Sequence, residues 1–328
     1  MTFVLFGCIV SVMNTMIHRR LDALEVIANL STASTESVTT RIENLIEHFA
    51  SHEDESNRVR EIVASIIKTR KHYSDEITSE EIFDWIFWPT VLGMLYKKNG
   101  SSPKHHHWVP SCYSSNFGSG HRSKRQLVET RFVDGVKLER IVSDEALIHG
   151  VDENGDGFYD LTLEYAFSHI EGAYAAMMSH NDFAVSDLRT GIAFMITQSL
   201  RTPHPASKDF RIRTIPDFLL RVEGIVENID SFHARIESVG QDRLAFAPYS
   251  PSRVFRDVTG KEFTCFPLSY EKLLIVSENF FSRKEARKMI NTHMDYMIKN
   301  IERTGNVLYG LKSVKRFKAE QQLAHESK

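Results

Sequence analysis

The apolar residues of this chain recur at steps of three and four over most of its length, and that period commits the chain chiefly to helices packed on one another. Between Glu36 and Lys68, Val38, Ile42, Leu45, Ile46 and Phe49 mark one stripe, and Val59, Ile62, Val63, Ile66 and Ile67 mark a second. The polar run His52 to Asn57 separates them, as in a helix pair or one long helix with a solvated waist. Thr78 and Glu81 stand at capping-box spacing, with Ile77 and Ile82 placed for the hydrophobic staple, so a helix starts there. Its Phe83, Trp85, Ile86, Phe87 and Trp88 require burial, and Pro89 is expected to interrupt it. Leu163, Phe167, Ile170, Tyr174 and Met177 predict another helix. Leu188, Ile192, Met195, Ile196 and Leu200 predict one that ends at Arg201 before Pro203. Pro216 to Ser238 reads as a further helix. Asn279 to Val307 reads as the last long one, with Ser282 and Glu285 as its capping box and Ala286, Ile290, His293, Met297 and Ile301 as its buried stripe.

One stretch breaks this period. Leu127–Phe132 and Val136–Ile141 alternate around Asp134 and Gly135, the dipeptide that supplies the left-handed conformations of a tight hairpin turn. Arg243 to Pro267 is β-like and rich in turns. The expected fold is therefore α+β, mainly α: a helical N-terminal region followed by a domain with a β-hairpin packed among several helices. Residues 1–20 form an apolar N-terminal segment, 21–100 the helical region, 101–311 the main domain and 312–328 a polar, solvated tail. The boundary falls at the turn-rich Asn99–Pro103.

A net charge of -3 argues neither for a nucleic-acid-coating protein nor for an acidic tail protein, so any basic site is local. The three cysteines form no CxxC pair, which argues against a disulfide framework and a cysteine zinc knuckle and favours a reducing, cytoplasmic setting. Residues 1–17 carry no charge and are followed by His18, Arg19 and Arg20. A docked helix, or a start at Met13 or Met16, is the favoured reading. The alternative is membrane contact or an anchor with the rest of the chain on the cytoplasmic side.

The densest chemistry lies at His105, His106, His107, Trp108, Val109, Pro110, Ser111, Cys112, Tyr113, Ser114, Ser115, Asn116 and Phe117. The order His107, Trp108, Val109, Pro110, Tyr113, Phe117 resembles the opening motif of the domain-of-unknown-function family 4238. Ser114 and Ser111 stand where that family usually has Leu and a basic residue. Later landmarks are similar in order and spacing: Gly157, Phe158 and Tyr159; Glu171 after Ile170; Arg201, Thr202 and Pro203; Phe266 to Ser269 before a final helix with Asn291 and Asn300. The resemblance covers about residues 104–311.

His105, His107 and His121 are the candidate metal ligands, because neutral imidazole is the commonest side-chain ligand and a proline-stiffened loop can hold it. His107 comes first, since it matches the family position. The competing expectation is a histidine bonded to backbone or carboxylate that locks the loop. Glu171 lies on the apolar face of its helix, where a charge needs a partner: Arg201, a motif histidine or a metal. With a histidine the pair suits acid-base chemistry, and with an arginine it is a structural clamp. Arg201 also stands where a cation complements a helix dipole.

Lys97, Lys98, Lys104, Arg122, Lys124 and Arg125, interleaved with Trp108, Tyr113 and Phe117, have the composition of a nucleic-acid or nucleotide surface, with Trp108, Tyr113, Arg122, Lys124 and Arg125 as its binding set. Asp152, Asn154, Asp156 and Gly157 begin like a calcium loop, but Leu163 stands at the twelfth position, so a helix-capping turn is expected. Three functions follow from different classes: a hydrolase or nuclease using His107, Glu171 and Arg201 with a divalent metal; a non-catalytic binding or regulatory module whose histidine motif is a clasp; and a membrane-associated interaction protein.

Overall fold

The computed structural model describes residues 15–30, 36–69, 77–96, 109–120, 124–143, 161–180, 182–201, 212, 214–227, 229–240, 243–247, 252–256, 260–304, 307–310 and 312–326. Helices α1 (Thr15–Ile27), α2 (Val38–Ser51) and α3 (Glu53–Thr69) come first, and α2 and α3 are the expected pair, broken at His52. The short strand β1 (Ile77–Thr78) leads into α4 (Ser79–Leu95). Both halves of its capping box form: the Thr78 hydroxyl accepts from the Glu81 amide, and the Glu81 carboxylate accepts from the Thr78 amide at 3.0 Å. Ile77 and Ile82 are buried beside it as the staple requires.

Pro89 does not end α4. The helix continues to Leu95, with the Thr90 hydroxyl donating to the Ile86 carbonyl at 2.7 Å. A proline inside a helix costs about 3 kcal/mol, and burial of Val91 and Leu95 beyond it offsets that cost. Four helices gather around or near it: α5 (Ser111–Ser114), α6 (Leu161–Met178), α7 (Val185–Arg201) and α8 (Ile215–Val226). Helices α3, α6, α7 and α8 pack directly on α4. Gly93 permits the closest of these approaches, because a Cβ there would collide with the backbone of Ala166 on α6.

The strands β2 (Gln126–Val133) and β3 (Val136–Ser143) make the expected hairpin, with Val133 opposite Val136 and positive φ at Asp134 (50°) and Gly135 (77°). The remaining strands are β4 (Ser231–Ser238), β5 (Arg253–Arg256), β6 (Glu262–Pro267), β7 (Lys272–Ser277) and β8 (Leu308–Tyr309). One antiparallel sheet has the order β1-β4-β7-β6-β5 and the other β3-β2-β8. Helices α9 (Arg283–Thr304) and α10 (Val314–Glu326) follow β7 and β8.

Two further expectations are corrected. The helix expected over Pro216–Ser238 stops at Val226, and its second half is β4, paired with β7 from His233–Ser277 to Ser238–Lys272. Phe232, Ala234 and Ile236 alternate with His233, Arg235 and Glu237, a period of two that the preceding helix obscures. The tail expected to be solvated forms α10, whose Val314 and Phe317, three residues apart, bury against Val128 and Ile141 of the hairpin. Ser282 and Glu285 do cap α9, and Ala286, Ile290, His293 and Met297 are buried on it.

A continuous buried cluster runs from Ile17 on α1 through Phe83, Phe87, Phe167, Phe194 and Phe266 to Tyr309. Among the described residues no helix is long and apolar enough to cross a membrane. Residues 1–14, the Asn99–Pro103 boundary and the Asp152–Gly157 turn lie outside the described residues.

Candidate functional site: a buried guanidinium between two acids

The described part of the histidine motif begins at Val109, and Pro110 starts the single turn of α5 by accepting from the amides of Tyr113 and Ser114. Tyr113 and Phe117, four residues apart, turn to the same side and are fully buried. The Tyr113 ring sits among Phe117, Tyr174, Phe194, Phe246 and Phe266, and its hydroxyl donates to the Pro267 carbonyl at 2.7 Å. The Tyr174 hydroxyl donates to the Leu268 carbonyl at 2.6 Å. The Asn116 amide donates to the Tyr174 hydroxyl at 2.9 Å and to the Cys112 carbonyl at 3.1 Å. Burial lifts both tyrosine hydroxyls well above their ordinary range and keeps them neutral.

This overturns the stacking role expected of Tyr113. Its ring is enclosed by other rings and has no face left for a base. Arg125 is corrected for the same reason: it is buried and donates to the Ser111 carbonyl at 2.7 Å and to the Ser111 and Ser114 hydroxyls at 3.0 and 3.1 Å, which braces α5 from within. Lys124 is exposed. The other expected ligands and contacts, His105, His107, Trp108, His121 and Arg122, lie outside the described residues, as does His106.

Glu171 and Arg201 are brought together. Arg201 is the last residue of α7, and its side chain, 2% exposed, crosses to α6. There Nη1 donates to Glu171 Oε1, and Nη2 donates to both Glu164 oxygens at 3.0 and 3.2 Å. The guanidinium carbon also lies 5.0 Å from the centre of the Phe167 ring. Glu164, Phe167 and Glu171 fall at i, i+3 and i+7, so one face of α6 presents all three to Arg201. Glu164 went unassigned in the sequence, although its seven-residue spacing from Glu171 is the signal that pairs them.

Burial pushes the Glu171 carboxyl up, the Glu164 charge adds to this, and Arg201 opposes it. Among the described residues only Oε1 of Glu171 is engaged by a side chain. The site adjoins α5, because the Cys112 thiol is pushed up to about 12 by burial first and by the Glu171 charge second, with Arg201 pulling the other way. Such a thiol stays protonated and is no nucleophile. A cavity of about 190 Å³ lies on the opposite face of α6, lined by Trp85, Trp88, Leu92, His169 and Ala173; burial holds the His169 imidazole below its usual value. Glu171 and Arg201 are not among its walls.

Among the described residues no three His, Cys, Asp or Glu side chains stand close enough to hold a metal ion. No protein-family model, curated protein or solved structure matches the chain.

Proposed function

We propose that this chain is a metal-assisted hydrolase acting on phosphoesters or nucleic acids, with His107 as metal ligand, Glu171 as general base and Arg201 holding Glu171 in place. The observation that carries this reading is Glu171 itself: a carboxyl raised by burial, fixed through one oxygen, beside the first turn of the motif that contains His107. A base works best when its pKa lies near the working pH, and a raised carboxyl is the kind of group that meets this. A divalent cation held by His107, with His105 or His121, would supply an activated water. The similarity to family 4238 at His107, Glu171 and Arg201 belongs to the same proposal, and so does a cytoplasmic setting, which the free thiols of Cys112 and Cys265 suit.

A second reading takes the motif as a clasp in a non-catalytic binding module. It is favoured by the hydrogen bonds that Tyr113, Asn116 and Arg125 make within the fold. Metal content measured by mass spectrometry separates the two, on wild type, His107→Ala and Glu171→Ala, with a melting temperature for each. Stoichiometric metal that both variants lose at nearly unchanged melting temperature supports the hydrolase, and a phosphodiester screen follows. Absence of metal from all three, with a large drop in melting temperature in both variants, selects the clasp.

A further inference from the structure

The three-stranded sheet ends on an open edge. β3 pairs with β2 along one side, and among the described residues no strand pairs with the other. Its two-residue turn makes Val133–Val136 a hydrogen-bonded pair. By alternation Val136, Leu138 and Arg140 aim their backbone groups at β2, while Lys137, Glu139 and Ile141 aim theirs outward. A row of outward N–H and C=O groups is a template for another strand. On one face of this hairpin tip Val133, Val136 and Leu138 are 44%, 59% and 46% exposed. Charged residues ordinarily guard such an edge, and here Lys137, Glu139 and Arg140 stand on it, so register decides whether they repel or attract.

We propose that β3 is a dimerisation strand, to which a second copy of this chain adds antiparallel across a two-fold axis at Leu138. In that register Lys137 faces the second copy's Glu139 and Glu139 faces its Lys137, while Leu138 meets Leu138 and Val136 meets Arg140. Axes at Lys137, Glu139 or Arg140 set identical charges against each other, and an axis at Ile141 brings no opposite charges of β3 together. The sequence of the edge is thus self-complementary about one residue, which favours a second copy over an unrelated strand. Lys137 and Glu139 already share a face, with Lys137 Nζ 2.6 Å from Glu139 Oε1. They are also the residues whose backbone groups point outward, so the same two pairs supply the new backbone hydrogen bonds. The product is a continuous sheet of two hairpins, with Val136 and Leu138 of both copies in one aliphatic strip.

Sedimentation velocity on the full chain tests this, with wild type, Lys137→Glu, Glu139→Lys and an equimolar mixture of the two variants. Wild type is expected to dimerise, each reversal to weaken the dimer at least about tenfold, and the mixture to restore it, because each reversed position then faces an opposite charge again. Melting temperatures check the folds, since Glu139→Lys also loses the Lys312 contact at 3.2 Å. Leu138→Lys, on an exposed residue, sets two cations at the axis and should abolish the dimer without that loss. A wild type still monomeric at about 100 μM, a dimer indifferent to the reversals, or a mixture that stays monomeric overturns the proposal.

Discussion

Glu171 on α6 and Glu223 on α8 are both helix-borne acids drawn out of water, and they differ in what answers their charge. Glu171 meets a full counter-ion, the guanidinium of Arg201, and leaves its second oxygen open among the described side chains. Glu223 meets the N-terminus of α1, where its Oε1 accepts from the amides of Met16 at 2.9 Å and Ile17 at 3.2 Å. Those amides satisfy hydrogen bonding, but the end of a helix offers only about half a unit charge. Burial consequently raises the Glu223 carboxyl to about 7, with Glu227 adding and the two amides and Arg20 opposing. A backbone cap gives a buried acid its geometry, whereas a guanidinium also gives it a charge balance. Oε2 of Glu223 is likewise without a hydrogen bond among the described residues, so the two acids differ in the charge that opposes burial and not in having a spare oxygen.

The most severe way to break this contrast is Arg201→Met. It leaves Glu164 and Glu171 desolvated side by side, and the expected loss is about 3–5 kcal/mol in denaturant unfolding. A loss below about 1 kcal/mol, the size of a surface pair, would mean that water already balances both acids. Next comes pH. The Glu223 carboxyl is raised in the folded state, so its favourable contribution is complete below the ordinary carboxylate value of 4.5 and is lost as pH rises towards about 7. The span corresponds to about 3 kcal/mol. Glu223→Gln keeps a carbonyl acceptor for the α1 amides and removes the titration. The variant should match wild type near pH 5 and exceed it at pH 8, and parallel melting curves across that range would place the proton elsewhere. Glu171→Gln keeps one bond to Arg201 and should cost about 1 kcal/mol. If it costs as much as Arg201→Met, the charge of Glu171 is the pair's chief contribution and Glu164 is secondary.

The same contrast divides what the sequence discloses from what it withholds. Helices α2, α4, α6, α7 and α9 and the β2–β3 hairpin are legible because local chemistry suffices: caps at Thr78 and Ser282, an Asp-Gly turn, apolar stripes of fixed period. That Glu171 needs a partner is legible because a charge on an apolar stripe demands one, but the sequence leaves Arg201, a motif histidine and a metal equally open, and the structure brings Arg201 to it. Glu164 is not legible, since nothing local requires it. Its role arises only when α7 ends beside α6. Tyr113 and Arg125 misled for a related reason: a tyrosine and an arginine near a basic run look alike whether they face solvent or core, and here tertiary packing takes both inward. β4 and α10 were hidden by their neighbours, one behind a helix-period stretch and the other behind a polar composition that needs only Val314 and Phe317 to dock.

The finest test of the guanidinium arrangement removes the acid that competes for it. Glu164 takes Nη2 of Arg201 through both of its oxygens, and its charge pushes the Glu171 carboxyl upward. In Glu164→Gln that repulsion vanishes and the guanidinium answers Glu171 alone, so the Glu171 carboxyl should titrate lower than in wild type. Carbon-detected magnetic resonance of the Glu171 side chain reads this directly, and the global stability should change by only about 1 kcal/mol, because one hydrogen-bonded partner remains in place. An unchanged Glu171 titration would mean that burial alone sets it and that Glu164 is a bystander. A higher one would mean that Glu164 holds Arg201 in position for Glu171, in which case the three residues act as a single unit and substitutions among them should fail to add.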